Sequence, residues 1–260
     1  MKNTIVISGG ASGIGLAAVK KFLTKGFNVF VLDNNQVLLE ELESSQIAYI
    51  DSLKTKHCDI TNSQDVSNAM DECIRTFGSI NAVLPAAGIV SDSLFIKVDR
   101  ETNKVKSCMS EEQFRKVVDV NLTGTFNTIQ QAAIRMINNN SEGVIYLVSS
   151  INHTGQLGQL NYCSTKHALA QWPKILVGEF HKQNINNIRV VSISPGYVET
   201  PILDKIRPEI KQAIIDDIAA KRLITREEIV ETLWFIWKNK AINATNIEVS
   251  GGQIQRGVCK

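Results

Sequence analysis

Short runs of Val, Ile and Leu alternate along the chain with longer stretches where apolar residues recur every three or four positions. The strand candidates are residues 4–8, 28–33, 54–59, 82–85, 143–149, 188–194 and 246–249, of which 54–59 alone has no Val, Ile or Leu. Several are continuous in Val and Ile, the pattern of parallel strands covered on both faces. Residues 15–25 place Leu16, Val19 and Leu23 on one side of a helix. Asn62 and Ser63 are a cap signal for a helix over 65–77, and Ser110 to Gln113 reads S-x-x-Q, a capping-box pattern. This strand–helix rhythm predicts an α/β fold. Seven parallel strands form one doubly wound sheet with right-handed crossovers and helices on both faces.

One segment breaks the rhythm. In residues 91–107, two short apolar stretches around Phe95 and Val105 flank a turn-prone 99–103, which predicts a hairpin inserted before a helix. Neither linker nor repeat interrupts the chain, so residues 1–260 are read as a single domain.

Composition then narrows the classes. The chain has 260 residues, 43% hydrophobic and 21% charged, with a formal net charge of +2. A near-neutral balance argues against a nucleic-acid partner, which demands a clustered basic surface. No apolar run approaches the ~18 residues of a membrane span, and Met1 leads straight into a strand-like run, so no signal peptide is expected. Five cysteines with no C-x-x-C pair fit a reduced, cytoplasmic chain. The four histidines lack H-E-x-x-H spacing, so no metal site is expected.

The candidate chemistry begins where the first strand ends. Ser8-Gly9-Gly10-Ala11-Ser12-Gly13-Ile14-Gly15 lies between that strand and the first helix. Glycines there allow a tight turn and close approach of a diphosphate, and the helix N-terminus offers free N–H groups and a positive dipole end. Asp33 ends the second strand, 18 residues after Gly15. A carboxylate there accepts from both ribose hydroxyls and repels a 2′-phosphate, which predicts NAD(H) over NADP(H). Asp59, read as the end of the third strand, is a candidate acceptor for the adenine amino group or a turn residue.

Tyr162 and Lys166 form a Y-x-x-x-K pair on one helix face. An ammonium beneath a phenol lowers its pKa from ~10, which suits proton exchange with a substrate alcohol. Ser149 and Ser150 end a buried strand upstream, where a hydroxyl can bond a substrate carbonyl oxygen.

In this order and spacing the chain resembles the short-chain dehydrogenase/reductase family over essentially its whole length, close to the 3-oxoacyl reductase and 3-hydroxyacyl-CoA dehydrogenase branch. The matching elements also include Ala86-Ala87-Gly88, Asn121, and Pro195-Gly196-Tyr197-Val198-Glu199-Thr200. The resemblance implies a Rossmann fold and roles for these residues. Tyr162 is the general acid/base, and Lys166 tunes it and holds the nicotinamide ribose. A serine orients the substrate oxygen, and Asn121 anchors a water in a proton relay. Gly9, Ser12, Gly13, Ile14, Gly15, Asp33, Asp59, Ala86, Ala87 and Gly88 contact the cofactor, as do Pro195, Gly196, Val198 and Thr200, the last at the carboxamide. A homo-oligomer, dimer or tetramer, is implied as well. Counting back from Tyr162 selects Ser149; counting along the strand from Gly143 selects Ser150, which is preferred because strand geometry is set by pairing.

The sequence departs from the family pattern in two places. Pro85 replaces the usual Asn before Ala86, and Pro173 inside the Tyr162 helix predicts a kink. His153 lies in the loop after Ser150, read as solvated or near the substrate entrance. Isoleucines and Leu203 across 201–220 suggest a lid with an apolar face. The substrate reading is a hydrophobic secondary alcohol, with a coenzyme A 3-hydroxyacyl thioester ahead of an acyl-carrier-protein thioester, because 138–143 carries no basic dock for an acidic carrier. The competing class is a non-catalytic NAD-binding redox sensor.

Overall fold

The computed structural model describes residues 2–199 and 207–253. The strands β1 (Thr4–Ser8), β2 (Asn28–Asp33), β3 (Leu53–His57), β4 (Ala82–Pro85), β7 (Gly143–Val148), β8 (Ile188–Pro195) and β9 (Thr245–Val249) form one sheet. Its order is β3-β2-β1-β4-β7-β8-β9, and every pairing is parallel. Chain direction reverses outward from β1 and β4, so their C-terminal ends flank a crevice. Ligands of open α/β sheets bind at such a switch point.

Period-two alternation divides the core. Ile5 and Ile7 of β1 face one side, and Val6 faces the other. On the first side they pack with Phe22 of α1 (Gly13–Thr24) and Leu233 and Ile236 of α8 (Arg226–Lys238). On the second, Val6 meets Met70 of α3 (Ser63–Phe77), Met136 of α5 (Gly124–Asn138) and Leu169 of α6 (Leu160–Lys182). Each such side chain contributes about 1.5–3 kcal/mol on burial, which holds the strand ends in register.

Three local predictions change, two element ends and one cap, while Pro173 sits inside its helix as expected. α1 starts at Gly13, two residues earlier than its apolar stripe suggests, because the turn itself enters the helix. β3 ends at His57, since Asp59 leaves the ladder to bond the Thr61 N–H and hydroxyl in a turn. Ser110 caps α4 (Glu111–Val118) by accepting from the Gln113 N–H, but the Gln113 amide donates to the carbonyls of Ser91 and Asp92 instead of closing the box. Pro173 does not end its helix: α6 runs from Leu160 through Lys182. The missing N–H costs about 3 kcal/mol locally. Burial of Leu169, Ala170 and Pro173, with side-chain ties from α6 to β7, offsets it.

The expected hairpin is present: β5 (Ile96–Val98) pairs antiparallel with β6 (Val105–Cys108). Within the predicted lid, α7 (Pro208–Asp216) brings Ile214 and Ile215 against Ile218, which is fully buried, while Ile210 stays exposed. The remainder of that lid, 201–206, lies outside the described residues. No described helix is long and apolar enough to cross a membrane.

Candidate active site

The glycine-rich turn is shaped by close backbone approach. A Cβ on Gly15 would fall 2.1 Å from the Gly9 carbonyl oxygen, so the first turn of α1 can seat on Gly9 only without a side chain. Gly13 differs: its φ is +53° and nothing lies within 4 Å of where a Cβ would stand. That open backbone face, at a helix start whose Ser12 side chain makes no cap bond, is a cradle that fits a diphosphate. Ile14 lines the adjoining cavity.

Asp33 closes one side of the cradle. Its Oδ2 accepts from the Ala11 N–H at 3.1 Å and its Oδ1 from the Asn35 N–H at 3.1 Å. A carboxylate offers about four acceptor positions, so both oxygens retain capacity for ribose hydroxyls. Ala86 and Ala87 lie over Gly9, and the Ala86 N–H donates to the Ser8 carbonyl. Pro85 pairs in register with Ser8, whose buried hydroxyl lacks a partner among the described residues. Asp59 is exposed, and its Oδ1 is engaged by Thr61.

The second half of the site is carried by β7 and α6. Lys166 Nζ donates to the Val148 carbonyl at 2.8 Å and stands 5.4 Å from the centre of the Tyr162 ring. Ser149 Oγ donates to the Lys166 carbonyl, whereas Ser150 Oγ accepts from the Asn152 N–H at 3.2 Å and lines the same cavity as Tyr162. Asn121 lies in a π-helical turn (Asp119–Thr123) between α4 and α5. Its amide clamps the Ile89 backbone in both directions, at 2.8 and 2.9 Å. A Cβ on Gly88 would lie 3.4 Å from Asn121 Oδ1 and 3.9 Å from Lys166 Nζ, so the bare Gly88 keeps the space between them open.

Burial governs both ionisable groups. It pushes the Tyr162 phenol up to about 12, with the Ser150 hydrogen bond working against it, and lowers Lys166 to about 8. Desolvation is thus the dominant influence on the phenol. The ammonium is directed at a carbonyl of β7, and desolvation outweighs its pull at 5.4 Å.

A cavity of about 450 Å³ joins these parts, walled by Tyr162, Lys166, Ser150, Pro195, Gly196 and Val198. A larger one, about 720 Å³, opens at the opposite ends of the strands beside Asn3, Asn81 and Arg189. There the Arg189 guanidinium is committed to the carbonyls of Trp237, Asn239 and Ile242 at the end of α8, and the lining Glu142 carboxylate is paired with Lys240.

The sequence model of the family described as short chain dehydrogenase matches residues 3–211. The chain belongs to the short-chain dehydrogenase family. Within it the chain is 3-oxoacyl reductase-like. It is 26% identical to the 3-oxoacyl-[acyl-carrier-protein] reductase of Staphylococcus epidermidis, over 97% of this chain and 99% of that one. It is 27% identical to the enzyme of the same name from Rickettsia prowazekii, over 96% of each. Among solved structures, a short-chain dehydrogenase/reductase from Brucella melitensis superposes with a TM-score of 0.84 at 23% identity, covering 97% of this chain and 98% of that one. ElxO with NADP bound superposes equally well at 22% identity, covering 97% and 98%. The protein is therefore a single-domain oxidoreductase of a family that binds a nicotinamide cofactor.

In this dehydrogenase the structure also gathers residues that the sequence did not mark. The Gln159 amide donates to Asp92 at 2.9 Å, and Asn152 donates to Gln159 Oε1 at 3.0 Å. Tyr197 hydrogen-bonds Asn152. The four come from three separate segments of the chain, and only Tyr197, inside the Pro195-Gly196 element, had a local signal. His153 is neither solvated nor on the cavity wall. Its side chain is 12% exposed, with Nε2 3.7 Å from Glu248 Oε1 and its ring centre 6.1 Å from that of His167. Thr200 lies outside the described residues.

Proposed function

We propose that this dehydrogenase interconverts a 3-oxoacyl and a 3-hydroxyacyl thioester with NAD(H), its acyl group carried by an acyl carrier protein. The observation that carries the chemistry is that Ser150, Tyr162 and Lys166 line one cavity, with the Lys166 Nζ 5.4 Å from the centre of the Tyr162 ring. Two groups there reach one substrate oxygen. Tyr162 holds the proton that a ketone oxygen receives on reduction, and takes it back on oxidation. Ser150 orients the same oxygen, and Lys166 reaches the ribose hydroxyls and favours the phenolate when Tyr162 ionises. Asn121 keeps the loop at Ile89 in place, and any relay water beside Gly88 is held between Asn121 and Lys166.

The nicotinamide supplies or accepts hydride at the substrate carbon when bound. Gly9, Ser12, Gly13, Ile14 and Gly15 would hold its diphosphate, Asp33 its adenosine ribose and Asp59 its adenine. Ala86, Ala87 and Gly88, with Pro195, Gly196, Val198 and Thr200, would flank the remainder. Asp33 supports NAD(H), since a 2′-phosphate would approach its carboxylate. The carrier-bound substrate is supported by the names of the relatives, which outweigh the bare 138–143 segment that favoured coenzyme A esters.

The test sets NADH and NADPH beside acetoacetyl thioesters of acyl carrier protein, coenzyme A and N-acetylcysteamine, following coenzyme absorbance. NADH-dependent reduction with preference for the carrier is expected, and Tyr162→Phe abolishes it while NADH still binds. Turnover of polyols or steroids with none of the thioesters would sink the substrate reading; an active Tyr162→Phe enzyme would sink the mechanism.

A further inference from the structure

The β5–β6 hairpin is an arm with a firm base and uncovered faces. At its base the Ser93 N–H donates to the Gly158 carbonyl, and the amides of Asn161 and Gln113 both donate to the Ser91 carbonyl. Asp92 and Leu157, at that base, line the mouth of the active-site cavity. Beyond it every residue of both ribbon strands is exposed among the described residues. Register places Ile96 opposite Cys108 and Val98 opposite Val105, so these four share one face. Val105 and the adjoining Phe95 are each 66% exposed. A two-stranded ribbon in water is marginal alone, and an uncovered apolar face of this kind marks a contact surface.

Its charge says what the contact is. Between Ile96 and Cys108 stand Lys97, Arg100, Lys104 and Lys106 against Asp99 and Glu101. That surplus of two equals the net charge of the whole chain, so the rest of the protein is balanced. Asp99 is turned inward to the turn: its Oδ1 accepts from the N–H groups of Glu101 and Thr102, and its Oδ2 lies 3.9 Å from Lys106. Lys97, Arg100 and Lys104 are exposed and have no acidic partner among the described residues.

We infer that the hairpin is the docking arm for an acidic acyl carrier protein, which meets the apolar face, Arg100 and Lys104 at the turn, and Lys97 on the reverse face, beside the cavity mouth. The inference rests on the carrier-thioester reading above and gives it a surface. Ser93 to Val98 spans about 17 Å as extended chain, so a carrier on the arm stands one short strand from the mouth. Complementary charge of this kind acts mainly on encounter and specificity.

The test compares wild type with Lys97→Glu/Arg100→Glu/Lys104→Glu and with the milder triple change to Gln. The readout is the ratio of kcat/KM on the acetoacetyl carrier protein to that on the N-acetylcysteamine thioester. The ratio is expected to fall about tenfold or more for the Glu variant and less for the Gln variant, with the wild-type ratio falling as salt rises. Calorimetric binding of holo-carrier gives a readout without turnover and is expected to weaken in the same order. An unchanged ratio and unchanged binding overturn the arm. A changed sedimentation state in the Glu variant also overturns it, since the face would then be covered by a second copy. If wild type turns over neither thioester, the substrate reading fails, and carrier binding alone then decides the arm.

Discussion

Ser149 Oγ donates to the carbonyl oxygen of Lys166 at 2.7 Å. This bond ties β7 to α6 and commits one of two adjacent serines to the scaffold, while its neighbour Ser150 turns to Tyr162. The chain just past β7 is still extended at Ser150, and consecutive residues of an extended chain point to opposite faces. Ser150→Ala is therefore expected to lower kcat/KM by about a hundredfold with little change in Tm. Ser149→Ala is expected to act mainly on stability, by about 1 kcal/mol, as a buried hydrogen bond is lost. Steady-state kinetics and thermal melts of the two variants separate the roles; the reverse pattern would assign the chemistry to Ser149.

Asp33 combines a structural bond with a selecting charge. Asp33→Asn keeps an acceptor for the Ala11 N–H but removes the negative charge. The ratio of kcat/KM with NADPH to that with NADH is expected to rise about tenfold, equivalent to about 1.4 kcal/mol. The comparison needs only the two coenzymes and one ketone substrate. A ratio unmoved by the substitution, or a wild type that already prefers NADPH, counts against the coenzyme assignment.

Burial of Lys166 has a signature in stability. Its folded pKa is lowered from 10.5 to about 8. Below about pH 8 the lysine is charged in both states and the desolvation penalty is complete. Between about 8 and 10.5 the unfolded chain holds a proton that the folded chain has released, so stability rises with pH, by roughly 2–3 kcal/mol over the window. Tyr162 works in the opposite direction higher up: its phenol ionises near 10 when unfolded and about 12 when folded, so stability falls above pH 10. Melting curves from pH 7 to 10 are expected to show wild type gaining on Lys166→Met. Parallel curves would mean that the ammonium is solvated in the folded protein.

Much of this protein was legible along the chain. The seven predicted runs became seven strands, each end within two residues, because most of them are Val/Ile-rich and apolar on both faces, as buried parallel strands must be. The hairpin was legible from its turn residues, and the Tyr162–Lys166 spacing from helical period. These are local properties, and sequence encodes local properties directly. What tertiary structure decided was which of several competent groups is used, and at what energy. It committed Ser149 to a backbone carbonyl, aimed Lys166 at Val148 instead of Tyr162, enclosed His153 beside Glu248, and carried α6 through Pro173. Each outcome depends on atoms from elements distant in the chain competing for the same hydrogen-bonding groups and the same dry space. No local pattern records who wins that competition, since the desolvation and packing that settle it exist only once the sheet and its helices have closed.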